Sequence, residues 1–202
     1  MTKVKLCGLS HESDIAAVNK LKPDLVGFVF AKKSKRYVSP EQAAALKSLL
    51  APGILAAGVF VNEPVEAVAE LLDRGVIDVA QLHGSEDDDY IARLRALTGK
   101  PIFRAFKVKS EAQKHKSQAL EADALHFTTD IWSSGVVLVG LLCVQASEYL
   151  PADSSFRGIL HMADAIAALH PYGVDVSSGI ETDGVKDKVK IAVFISAARK
   201  EG

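Results

Sequence analysis

"ILAAGVFVNEPVEAVAELLDRGVIDVAQLHG", residues Ile54 to Gly84, holds a strand, a helix and a second strand in succession. "ILAAGVFV" is a short apolar run of the kind a buried strand presents. "EPVEAVAELLDRG" follows with apolar residues at helical spacing, and Gly75 supplies a left-handed stop after the last turn. "DVAQLHG" is again short and apolar. Two buried strands joined by one helix make a parallel βαβ unit with a right-handed crossover.

The same alternation extends outward in both directions. Toward the N-terminus, "KVKLCGL" reads as a strand followed by "SHESDIAAVNKL", a helix with Ser10 as its expected cap and an apolar face through Ile15, Val18 and Leu21. "DLVGFVF" (Asp24 to Phe30) is a second strand. After the basic loop "AKKSKRYV" comes "SPEQAAALKSLL", where Ser39 is placed to cap, Pro40 takes the first helical position and Gln42 is expected to complete a capping box.

Toward the C-terminus, "EDDDYIARLRALTG" puts acidic residues at the positive end of a helix dipole and Gly99 at its close. "PIFRAFKV" is a strand and "SEAQKHKSQALEA" a weaker, polar helix. Near the end, "MADAIAALHPYG" reads as a helix closed by Pro171 and Gly173, "VDVSSG" as a strand entering a glycine turn, and "DKVKIAVFISAARK" as a final amphipathic helix.

Five clear units at the front, one at the back and room for two between them predict an α/β fold, a (βα)8 TIM barrel formed by residues 1–202 as a single domain. The competing architecture is a doubly wound open sheet. It would use five or six strands and a glycine-rich first turn, and "CGLSHES" is not that fingerprint.

Composition agrees with one large domain: 202 residues, 49% hydrophobic and 24% charged, suffice for a substantial core. A formal charge of -1 leaves no basic excess to neutralise nucleic acid or an anionic membrane, so neither is an expected partner. No apolar stretch reaches the ~18 residues of a membrane span, and the N-terminus carries no secretory pattern, which points to a cytoplasmic protein. Two cysteines, Cys7 and Cys143, are too few for a disulfide framework.

In a barrel the chemistry lies at the C-terminal ends of the strands. The residues closing them are Cys7, the loop around Arg36, Asn62, Gln81 with His83, Arg104, and Ser177 to Gly179. Cys7 can be a proton-transferring thiolate or a small buried hydrophobe. Arg36 can grip a carboxylate through its fork or belong to a solvated basic loop. "SSGIETDG" offers N–H groups and hydroxyls to a phosphate, or is plain turn chemistry. The six histidines, at 11, 83, 115, 126, 161 and 170, show no HExxH spacing, so a metal is not expected. His83 and His170 read as turn or capping residues.

Taken in order, "KVKLCGLS", "GFVFAKKSKRYVS", "GVFVNEP", "QLHGSE", "RAFKV" and "HPYGVDVSSGIETDGVKDKVKI" resemble the phosphoribosylanthranilate isomerase family of tryptophan synthesis, itself a (βα)8 barrel. The resemblance covers residues 1 to about 124 and 163 to 202. It implies an Amadori rearrangement without metal or organic cofactor, a small-molecule phosphosugar substrate, and a monomer or homodimer. By the resemblance, Cys7 matches the general base that takes the sugar C2 proton. Arg36 matches the arginine near the anthranilate carboxylate, Ser178 and Gly179 match part of the phosphate cradle, and His83 of "QLHG" joins the substrate-binding set.

The general acid of the family closes strand 6, and there the chain departs from the pattern. Relatives read like "ADxLLFD"; this chain reads "ADALHFTTD", which puts Thr128 at the ungapped acid position and Asp130 two residues later. A shift of two keeps the strand face but advances the group by ~7 Å, so a local bulge has to absorb it. Asp130 is the candidate acid, ahead of Asp123, which precedes the strand core. A string similar to "LAGGL", the other half of the phosphate cradle, is also missing. Three functions follow: the isomerase, an impaired phosphosugar-binding barrel of the same family, and the related histidine-pathway sugar isomerase, which is expected to carry aspartate where Cys7 stands.

Overall fold

A computed structural model describes residues 2–105 and 171–200. The strands are β1 (Lys3–Cys7), β2 (Leu25–Val29), β3 (Leu55–Phe60), β4 (Val79–Leu82), β5 (Ile102–Arg104) and β6 (Gly173–Val176). Between them lie α1 (Glu12–Leu21), α2 (Pro40–Ser48), α3 (Val65–Asp73) and α4 (Asp88–Leu97), and α5 (Lys188–Lys200) closes the chain. The expected sixth and seventh strands of the barrel and the helices beside them, with Thr128, Asp130 and Cys143, lie outside the described residues.

All six strands are parallel and run in the order β5-β4-β3-β2-β1-β6. A doubly wound sheet needs a reversal of strand order at its switch point. Here the order never reverses through the first five strands, and β6, the last described strand of this sheet, pairs directly with β1, Lys5 opposite Asp175. That curled arrangement is the (βα)8 barrel.

Strand alternation divides the side chains into two sets. Leu25, Ala57, Val79 and Phe103 face inward and pack together as the barrel floor. Val4, Leu6, Val26, Phe28, Ala56, Phe60, Ala80 and Leu82 face outward into the larger core under the helices. α5 completes that shell with Ile191, Phe194, Ile195 and Ala198, all buried and spaced for one helix face.

The helix ends follow local chemistry, with two departures from expectation. α2 begins at Pro40 with Ser39 Oγ accepting from Gln42 N at 3.2 Å, but the Gln42 amide donates to Ser10 O instead of turning back to the cap. The capping box is therefore half formed. α1 is capped at His11, not Ser10, because Asp14 Oδ2 accepts from both Ser10 N and His11 N at 3.1 Å and so fixes the first turn one residue later. Gly75 has the expected positive φ, 69°. Among the described residues, no helix is long and apolar enough to cross a membrane.

Candidate active site

Cys7 ends β1 on the inward face. Immediately after it Gly8 turns with φ 78°, and the N–H groups of Gly8 and Leu9 both donate to Gly27 O, at 2.9 and 3.1 Å. Gly27 is also the register partner of Cys7 on β2. A Cβ at position 27 would sit 2.7 Å from Cys7 Sγ and 3.1 Å from Cys7 Cα, so a glycine is required to give the thiol its room. Cys7 lies deep among neighbouring atoms yet keeps an accessible edge. Burial pushes its thiol above the ordinary range, with the ammonium of Lys5 pulling the other way.

The basic loop after β2 brings Arg36 back over this strand end. Its stem packs against Gly8, where a Cβ would fall 2.3 Å from Arg36 Cδ. Its Nε and Nη2 donate to the two carboxylate oxygens of Glu181, both at 2.8 Å. Glu181 starts β7 (Glu181–Thr182), which pairs antiparallel with β8 (Val185–Lys186) just beyond β6. Lys186 Nζ donates to Glu181 Oε1 and Ser177 O, each at 2.8 Å. Burial pushes the Glu181 carboxyl up, but Arg36 and Lys186 more than offset it, so it stays ionised below its usual range. Burial lowers Lys186 despite Glu181. Arg36 thus lies over the end of β1 with one edge of its fork taken by Glu181, leaving Nη1 outside that contact.

Ser178 and Gly179 form a single 3-10 turn, Ser178–Ile180, directly after β6, and both are exposed. The turn is tied to the Arg36 loop through Glu181, which brings Cys7, Arg36, Ser178 and Gly179 to one end of the barrel. His83 stands at the same end, beyond β4. Gln81 Nε2 lies 2.9 Å from His83 Nε2, an arrangement in which the amide donates and the imidazole accepts. Arg104 donates to Asp88 Oδ1 and Glu86 O at the start of α4. Asn62, at φ 53°, braces the neighbouring loop by accepting from Ser85 N and Oγ.

Two residues that strand patterning left unremarked lie beneath Cys7. Lys5, only 2% exposed, points into the barrel and donates to Asp175 Oδ2 at 2.6 Å. Among the described residues, Asp175 Oδ1 is buried without a hydrogen-bond partner. Glu181 and Lys186 were missed as well, although all four stand inside the strings that carry the family resemblance. A charged residue at an inward position of a barrel strand was the available signal. A separate cleft of about 380 Å3 between the loops after β3 and β4 includes Glu63, Glu66, Glu86 and Asp87 in its lining, an acidic surface unsuited to a phosphosugar anion. Among the described residues, no three His, Cys, Asp or Glu are grouped to hold a metal ion.

A family model described as N-(5'phosphoribosyl)anthranilate (PRA) isomerase matches residues 4–140 and 158–197. The chain belongs to that family. A PRA isomerase of Endomicrobium trichonymphae is 39% identical over 204 residues, covering 98% of this chain and 99% of the relative. The crystal structure of phosphoribosyl anthranilate isomerase from Thermotoga maritima superposes with a TM-score of 0.71 at 28% identity, covering 99% of this chain and 100% of that one. A phosphoribosyl anthranilate isomerase crystallised with reduced 1-(o-carboxyphenylamino)-1-deoxyribulose 5-phosphate gives 0.70 at 26% identity with the same coverage. The PRA isomerase match runs further than the quoted motifs suggest, since it continues through residues 125–140 and so includes Thr128 and Asp130.

Proposed function

We propose that the chain isomerises N-(5'-phosphoribosyl)anthranilate to 1-(2-carboxyphenylamino)-1-deoxyribulose 5-phosphate in tryptophan biosynthesis, an aldose-to-ketose step. The observation that carries this reading is the family relation along nearly the whole chain, with Cys7 at the inward end of β1. The histidine-pathway alternative, which needs aspartate there, is disfavoured by the same residue. The impaired-binder alternative is disfavoured by the continuity of the family match through strand 6.

In this mechanism an acid protonates the ring oxygen, the furanose opens, and C1 becomes an iminium conjugated to the anthranilate nitrogen. Loss of the C2 proton to a base gives an enaminol, which ketonises with C1 reduced and C2 oxidised. Cys7 is the proposed base, and Asp130 the proposed acid. Arg36 takes the anthranilate carboxylate, and its clamp on Glu181 supports that role by holding the guanidinium above Cys7 with an edge to spare. Ser178 and Gly179 take the phosphate, and His83 contacts the substrate from β4. Acid and base need opposite protonation states, and a buried thiol with nearby cations can be tuned apart from a carboxyl on another strand.

The test is to give the purified chain phosphoribosylanthranilate and follow the loss of anthranilate fluorescence. Multiple turnovers are expected. Binding of the reduced product analogue without any fluorescence loss would overturn the reading in favour of an impaired binder.

A further inference from the structure

The interior of a (βα)8 barrel is ordinarily filled by branched apolar side chains in layers. This barrel places an ammonium there. Lys5 is 2% exposed on the inward face of β1, between Lys3 and Cys7, and its register partner across the β1–β6 pair is Asp175. A buried cation is costly unless paired and fully hydrogen-bonded. The pairing here uses one carboxylate oxygen at 2.6 Å, while the other is buried and has no hydrogen-bond partner among the described residues. An ammonium has three donors, and one is spent on Asp175.

Cys7 is the next residue on the same inward face of β1. The two residues share a strand face, about 7 Å apart along β1, a span that a lysine side chain crosses. The positive charge of Lys5 favours the Cys7 thiolate against the burial that opposes it. The charged groups around Cys7 among the described residues are Lys5 on β1, Asp175 on β6, Lys186 on β8 and Arg36 from the loop after β2. Arg36 and Lys186 are both engaged by Glu181, which blunts their effect on the thiol. Asp175 opposes thiolate formation. Lys5 is therefore the cation placed to favour it.

We infer that Lys5, held in the barrel by Asp175, is a positioning residue that sets the charge state of Cys7 by donating to its sulfur from below. Burial alone would keep the thiol neutral, and Lys5 counters that. The inference deepens the assignment of Cys7 as base, and rests on it for its catalytic meaning.

The experiment is the pH dependence of Cys7 alkylation by iodoacetamide, read peptide by peptide in a mass spectrometer so that Cys143 is scored separately. Three variants are compared with the parent chain: Lys5→Gln, Lys5→Arg and the double variant Lys5→Gln with Asp175→Asn, which leaves no unpaired charge should the single variant fail to fold. Circular dichroism establishes folding in each. Loss of the cation is expected to slow Cys7 alkylation about tenfold or more near neutral pH and to move its midpoint upward in Lys5→Gln, and to move it upward by less in the double variant, which also removes the opposing charge of Asp175. Lys5→Arg keeps the charge and is expected to stay near the parent. A midpoint unmoved in the folded Gln variants, or displaced as far by Arg as by Gln, would overturn the inference. Full turnover by Cys7→Ala alongside shifted midpoints would instead remove the base assignment and leave the Lys5 effect standing.

Discussion

Gly27→Ala is the substitution whose outcome the structure determines most closely. The new methyl would lie 2.7 Å from Cys7 Sγ, 3.1 Å from Cys7 Cα and 3.3 Å from Cys7 Cβ, all inside the 3.4 Å where ordinary contact begins. A flexible side chain could move aside cheaply, but two of these atoms belong to the rigid base of the residue. Cys7 Cα lies on β1, which is hydrogen-bonded to β2 on one side and β6 on the other. Both the strand and the thiol must give. Overpacking of this kind costs about 1–3 kcal/mol of stability. A reacting group displaced by about 1 Å loses on the order of 100-fold in rate. Urea unfolding and fluorescence-based kcat/KM, measured on the same preparation, are therefore expected to fall together by those amounts. Gly75→Ala is the control: at φ 69° it meets nothing within 4 Å, so it should cost about 1 kcal/mol of backbone strain and leave kcat/KM unchanged. A Gly27→Ala enzyme with parental kcat/KM and an unmoved urea midpoint would refute the placement of Cys7 against Gly27.

Arg36→Met should raise KM by about tenfold or more with a smaller change in kcat, because it removes a charge-assisted grip on the substrate carboxylate; an unchanged KM would free Arg36 of that role. The kcat/KM of the free enzyme should rise with pH and still be rising where an ordinary thiol has finished titrating, since burial holds the Cys7 thiol high and only its thiolate accepts a proton. A plateau below neutral pH would contradict that sign. Asp24→Asn tests acid stability. Burial pushes the Asp24 carboxyl up, but Lys3 Nζ at 2.7 Å and Val4 N at 3.0 Å more than offset this and hold it below 3.8. With the folded value lowered, the stabilisation is present above the unfolded value and lost as pH falls through the folded one. The variant should lose about 1–2 kcal/mol at neutral pH and show a shallower decline on acidification, followed by urea titration. Asp130→Asn should abolish most turnover; untouched activity would remove Asp130 as the acid.

Much of the barrel was legible because each strand is a short apolar run set between helices with recognisable ends. The run from Ile54 to Gly84 became β3, α3 and β4 with little adjustment, and Gly75 stopped its helix by the conformation only glycine adopts readily. Helix starts were less secure, since a cap depends on which side chain wins the first N–H groups. Asp14 won them for α1, and Ser10 lost the role.

The residues at the strand ends could be listed from the sequence, but the network that joins them could not. Arg36 and Glu181 are 145 positions apart, so no local spacing announces their bidentate contact. Lys5 sits within an apolar run where its charge reads as incidental, and only the β1–β6 register brings Asp175 opposite it. Parallel pairing of β1 with β6 is a product of closure, and closure depends on the whole chain.

The central claim is that Cys7 removes the C2 proton. Its most direct test is the turnover of phosphoribosylanthranilate by Cys7→Ala relative to the parent chain, under conditions where both bind the reduced product analogue. Loss of nearly all turnover with binding retained is the expected result. Turnover equal to the parent would contradict the account.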